Sequence, residues 1–212
     1  MSLVNVELLE AASKGDLGAV EDLFTRSPTP SLHDTDDQGR TVLHLALGSG
    51  NLQLIEYLLE KEAPLEAQDD KGQTALHVAL NLRRTGAVHS LLQKIERRSD
   101  RKKIINLSDI EGNTVLNVAA RTCDSKVINA LIAAGADATI ENKENFTPAL
   151  TAVGGRHFVS WTSNVLHPLL HHPPFCITLA PHNLPFHCPI SSPVFAVHIK
   201  LAYQSKALNK LY

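Results

Sequence analysis

The chain has 212 residues, 43% apolar and 20% charged, which fits a globular protein and excludes a disordered or fibrous one. Twenty basic and 22 acidic residues leave a formal charge of −2, which excludes a surface built throughout for nucleic acid. The scattered cysteines Cys123, Cys176 and Cys188 exclude a disulfide scaffold and suit a reducing compartment. The first residues, MSLVNVELLE, contain neither a basic n-region nor a long apolar run, so no secretory signal is expected.

In chain order, residues 5–35 form a first helix–Gly–helix segment, with Ala11, Gly15 and the pair Leu23-Phe24 as its apolar and turn markers. Residues 36–68 open with Asp36 and Gly39 and continue through Thr41-Val42-Leu43-His44, Ala46 and Gly50 to a second helix over 52–60 carrying Leu58-Leu59. Residues 69–108 restate the pattern with Asp69, Gly72, Thr74-Ala75-Leu76-His77 and Ala79, and a second helix over 87–94 with Leu91-Leu92. Residues 109–142 repeat it with Asp109, Gly112, Thr114-Val115-Leu116-Asn117, Ala119, Leu131-Ile132 and Gly135-Ala136-Asp137. A partial unit begins at Lys143, with Thr147-Pro148-Ala149-Leu150 and Ala152. The four threonines are spaced by 33, 40 and 33 residues.

Each residue type has a physical reason. Asp-x-x-Gly is turn chemistry, with glycine free to take positive φ. Threonine caps the helix that follows. Leucine and alanine recur at helical spacing, and the small alanine allows close helix approach. Neither short helix buries its apolar face alone, so neighbouring units must stack.

On DDQGRTVLHLA, DDKGQTALHVA, DIEGNTVLNVA and KENFTPALTA the sequence resembles the ankyrin repeat family, over roughly residues 5–152. The departures are Val42, Ala75 and Val115 in the proline place, Asn117 in the histidine place, and Arg83 and Cys123 in the inter-helix glycine place. The resemblance implies an all-α solenoid of helix–turn–helix units with short hairpin tips. It also implies a structural role for Thr41, His44, Thr74, His77, Thr114 and Thr147, the histidine rings bonding backbone between adjacent units.

The third segment is seven residues long in excess, and the excess falls in QKIERRSDRKKIINLS. This stretch holds Lys94, Arg97, Arg98, Arg101, Lys102 and Lys103. A surface loop tolerates such lengthening. The favoured expectation is a solvated second helix running on, with Glu96 paired to a base one turn away. The alternative is a nuclear-targeting or phosphate-binding segment.

From Val153 the composition changes. The last 60 residues contain no acid, four bases, seven of the 11 histidines and seven of the 11 prolines. A degenerate helix over 157–166 and an alternating segment at 195–203 are the only periodic features expected in an otherwise irregular tail, 153–212. The prolines interrupt any membrane span. The abrupt change points to an alternative C-terminus that replaces further repeats.

No nucleophile–base pair, phosphate loop or zinc signature is present in the sequence. Cys176, His182, His187 and Cys188 match no tight zinc spacing. No cofactor, metal or catalytic residue is therefore expected. The resemblance implies a non-enzymatic scaffold or adaptor whose concave face binds another protein through turn tips and first helices. Carried over, those positions are Asp37, Gln38, Arg40, Ser49, Asp70, Lys71, Gln73, Asn81, Glu111, Asn113 and Arg121, with Gly48, Leu82, Ile110 and Thr122 beside them. Two alternatives remain: a truncated or alternatively terminated regulatory isoform of a longer repeat protein, and a nuclear adaptor using residues 94–103. An intracellular location, cytoplasmic or nuclear, is expected.

Overall fold

The computed structural model describes residues 3–26, 30–122 and 125–154. The expectations for Cys123 and for the tail from residue 155 lie outside the described residues. All regular elements among the described residues are α-helices, and the packing divides the chain between Ile110 and Glu111 into two compact units.

In the first unit, α1 (Leu3–Lys14) pairs with α2 (Leu17–Arg26), α3 (Val42–Ser49) with α4 (Leu52–Glu60), and α5 (Ala75–Asn81) with α6 (Thr85–Glu96). The first helices lie side by side, α1 on α3 and α3 on α5, while α4 packs on α6. Helix α3 is therefore enclosed on several sides, and all of Val42 to Leu47 is buried. The small residue of each first helix, Ala11, Ala46 or Ala79, is buried where the helices approach. Leu54, Ile55, Leu58, Leu91 and Ile95 fill the space beneath from the second helices. Between α2 and α4, Phe24 meets Tyr57 edge-on at 5.8 Å, and the Lys61 ammonium lies over both rings.

Several helix ends need a residue with positive φ. Gly15 closes α1 at φ +73°, with its N–H on the Ala12 carbonyl and that of Asp16 on Ala11. Arg83 does the same after α5 at φ +54°, its N–H on Leu80 and that of Arg84 on Ala79.

The seven-residue excess is not a continuation of α6. The helix stops at Glu96, the chain turns, and a further helix, α7 (Arg101–Ile105), follows and packs on α6. Ile104 and Ile105 are buried, so the insertion adds apolar core to its unit. Among the described residues Glu96 makes no ion pair. The pairs reach instead to the segment that follows α4, Lys94 to Glu62 at 2.6 Å and Arg98 to Glu66 at 3.5 Å, because α6 lies against α4.

In the second unit, α8 (Val115–Thr122) packs on both α9 (Ser125–Ala134) and α10 (Pro148–Gly154). Pro148 occupies the first helical position of α10, where its missing N–H costs nothing. Leu131 is fully buried and Ile132 half-buried.

Candidate functional site: tips and first-helix ends

The tips are built from a shared hydrogen-bond device. The Asp36 carboxylate accepts from the backbone N–H of Gln38 at 3.0 Å and of Arg40 at 2.9 Å. Asp69 accepts likewise from Lys71 at 2.9 Å and Gln73 at 2.8 Å. In the second unit the Asn142 side-chain oxygen accepts from Glu144 at 3.0 Å and Phe146 at 2.9 Å. The isolated bridges Thr35–Thr41 and Gln68–Thr74 close the first two tips into short hairpins.

Neighbouring tips within each unit are joined backbone to backbone. The Asp70 N–H donates to the Gln38 carbonyl and the Ile110 N–H to that of Lys71, both at 3.0 Å. The Lys143 N–H donates to the Glu111 carbonyl at 2.9 Å. This close approach leaves no room for a side chain at the tip glycine. A Cβ on Gly72 would lie 2.8 Å from the Ile110 nitrogen, and one on Gly112 2.8 Å from the Lys143 nitrogen. Both glycines also hold positive φ, +68° and +79°. In the last tip Asn145 fills the glycine place at φ +60°; asparagine is among the few other residues that tolerate this region.

Behind each tip, threonine and the residue three positions on form a buried circuit. The His44 Nδ1 atom accepts the Thr41 backbone N–H at 3.2 Å, so it carries no proton. The Thr41 hydroxyl, 2.8 Å away, then donates to it as well. The proton therefore sits on Nε2, which donates to the Gln73 carbonyl at 3.0 Å and ties one tip to the next. His77 is buried and faces Thr74 in the same way, at 3.3 and 2.9 Å. Asn117 reproduces the circuit: its Oδ1 accepts from Thr114 at 3.1 and 2.8 Å, and its Nδ2 donates to the Phe146 carbonyl at 3.2 Å. Thr147 is followed by apolar Leu150 and acts as a simple cap, accepting the Leu150 N–H at 3.4 Å.

Burial pushes the His44 imidazole below its ordinary value, although the Gln73 carbonyl and the carboxylates of Asp69 and Asp36 favour its charged form. Burial raises Asp36, but the Arg40 guanidinium and the N–H groups of Arg40 and Gln38 outweigh it, so the carboxyl lies below its usual range.

The expected contact positions fall into two groups. Asp37, Gln38, Asp70, Lys71 and Glu111 are exposed on tips, and Asn81 and Arg121 are exposed at the ends of first helices. Gly48 is exposed with nothing within 4 Å of a would-be Cβ, and Leu82 and Ile110 stand 45% and 56% exposed. The others are engaged within the protein. Arg40 is half-buried and pairs with Asp36 at 2.6 Å. Gln73 is half-buried, and Ser49 donates to the Ala46 carbonyl at 2.8 Å. Asn113 corrects the expectation of a surface residue: it is buried, donates to Glu111 at 3.0 Å and accepts from Asn142 at 2.9 Å. Its place directly before Thr114 puts it inside the tip-to-tip joint. Asn142 and Asn145 stand where the other units have Asp and Gly, so no shared letter marks them in the sequence.

Among the described residues no group of histidine, cysteine or carboxylate side chains is placed to hold a metal ion, and no helix is long and apolar enough to cross a membrane. Cys176, His182, His187 and Cys188 lie outside the described residues.

A family model of ankyrin repeats, in three copies, matches residues 8–103, and a single ankyrin repeat model matches residues 111–143. Ankyrin repeats are modules of protein–protein interaction. The two matches together take in more than half of the chain, and the chain belongs to the ankyrin repeat family.

Proposed function

We propose that the protein is a non-enzymatic adaptor that binds another protein through the tips and first-helix ends of residues 36–110. The contacts would come from Asp37, Gln38, Asp70, Lys71, Gly48, Asn81 and Leu82. One observation carries this reading: the backbone joint between the tips, Asp70 N–H to Gln38 carbonyl at 3.0 Å, fixes the backbone that carries the exposed side chains before a partner arrives. A surface ordered in advance loses less conformational entropy on binding. The mixture of acidic, basic and apolar groups suits a protein surface better than a uniformly charged polymer.

The test is affinity capture from cell extract with the full chain and with Asp37→Lys/Lys71→Glu. Arg40 stays unchanged, since its pairing with Asp36 belongs to the fold. Both proteins are first compared by circular dichroism and thermal unfolding. Loss of the same specific partners from the variant, repeated with the purified partner, supports the reading. Capture that is unchanged, or confined to chaperones, sinks it.

A further inference from the structure

The insertion that makes the third segment long carries an unusual charge arrangement. Residues 94–103 hold six basic and two acidic residues, while the rest of residues 1–110 holds seven basic and 15 acidic ones. A compact positive spot thus sits on an acidic unit. Two of the six cations are committed. Lys94 pairs with Glu62, and Arg98 is held by Asp100 through two bonds of 2.8 Å, with Glu66 at 3.5 Å. Glu62 and Asp100 accordingly lie below the usual carboxylate range, Glu62 through Lys94 and Asp100 through Arg98.

Arg101, Lys102 and Lys103 are exposed and make no ion pair among the described residues. They line one open cleft with Arg98, Ser99 and Asp100, and Asp100, the cleft's carboxylate, is already neutralised by Arg98. Arg97, also exposed, lines a separate groove with Glu56 and Glu60. The three free cations are not on a loose loop. They occupy the start of α7, whose far end is anchored by buried Ile104 and Ile105.

We propose that this cleft is a docking site for a short acidic segment of a partner protein. Charge complementarity selects the class. A membrane or a nucleic acid spreads negative charge over distances far beyond the roughly 8 Å screening length, and would meet the acidic remainder of the unit as well as the spot. A short run of aspartate and glutamate reaches the three cations alone.

The test uses the full chain, with fluorescence anisotropy of a labelled 12-residue peptide of alternating Glu and Asp at low salt. A uridine 12-mer and phosphatidylserine vesicles serve as competing probes. The comparison variant is Arg101→Gln/Lys102→Gln/Lys103→Gln, which keeps both isoleucines; Lys71→Gln is the control for a distant cation. The expected result is peptide binding that weakens with salt, falls at least about tenfold in the triple variant, and is unchanged in the control. Absence of peptide binding, equal binding by the triple variant, or RNA or vesicle binding as tight as the peptide's would each overturn the proposal.

Discussion

The Nδ1 atom of His44 accepts two hydrogen bonds from Thr41, 3.2 Å from the backbone nitrogen and 2.8 Å from the hydroxyl. Both require a neutral ring, and burial holds its pKa below the ordinary 6.5. Above that value the ring is neutral both folded and unfolded. As pH falls below it, the unfolded ring takes a proton first, so stability declines until the folded pKa is reached. The slope from one such group is at most about 1.4 kcal/mol per pH unit. Asn117 shows that a carboxamide makes the same circuit without titrating. His44→Asn is therefore expected to lose less stability than the parent between about pH 7.5 and 5.5. Urea midpoints at the two pH values check this; equal acid sensitivity would mean that His44 is not a source of the loss.

Arg83 holds φ +54° at the end of α5, in the position that Gly15 fills after α1. A left-handed conformation costs a residue with a Cβ roughly 1–2 kcal/mol. Glycine returns part of that through the greater freedom of the unfolded chain, about 0.5–1 kcal/mol. Arg83→Gly is thus expected to stabilise the protein by up to about 1 kcal/mol. Arg83 is exposed and makes no ion pair among the described residues, so no interaction is lost with its side chain. Glu62, at φ +60° after α4, is a poorer test because it pairs with Lys94. A denaturant midpoint for Arg83→Gly at or below the parent's would show that this turn carries no strain.

The parts of the fold legible in the sequence are those where one residue type has one physical job. Gly39 and Gly72 are legible because only glycine fits the tip joint, and Ala46 and Ala79 because only a small side chain fits between first helices. What escaped were substitutions that preserve the chemistry and change the letter. Asn142 gives the same acceptor oxygen as Asp36, and Asn145 holds the positive φ of Gly39. Asn113 looked like surface because its burial comes from a residue 29 positions away, Asn142, which no local pattern announces. The ion pairs escape local reading for the same reason: Lys94 finds Glu62 in the turn that follows the neighbouring helix, where a one-turn rule looks only along its own.

The inserted helix α7 has only five residues, too few to show a period in the sequence. Isolated, so short a helix would not persist in water, so its order must come from packing. The side chains available for that are Ile104 and Ile105, 3% and 0% exposed, set against α6, whose Ile95 is likewise 0% exposed. An ordinary surface loop would tolerate truncation of either residue. Here Ile105→Ala is expected to cost about 2–5 kcal/mol, the range for emptying a packed site. It should also free the α7 amides to exchange with solvent, since a helix held only by tertiary packing opens once that packing is lost. Arg101→Gln, on the exposed side of the same helix, is expected to change stability by less than about 0.5 kcal/mol. Urea unfolding gives the first quantity and hydrogen exchange followed by mass spectrometry the second. A near-neutral Ile105→Ala would show that α7 is an appendage, and the fixed placement of Arg101, Lys102 and Lys103 would lose its physical basis.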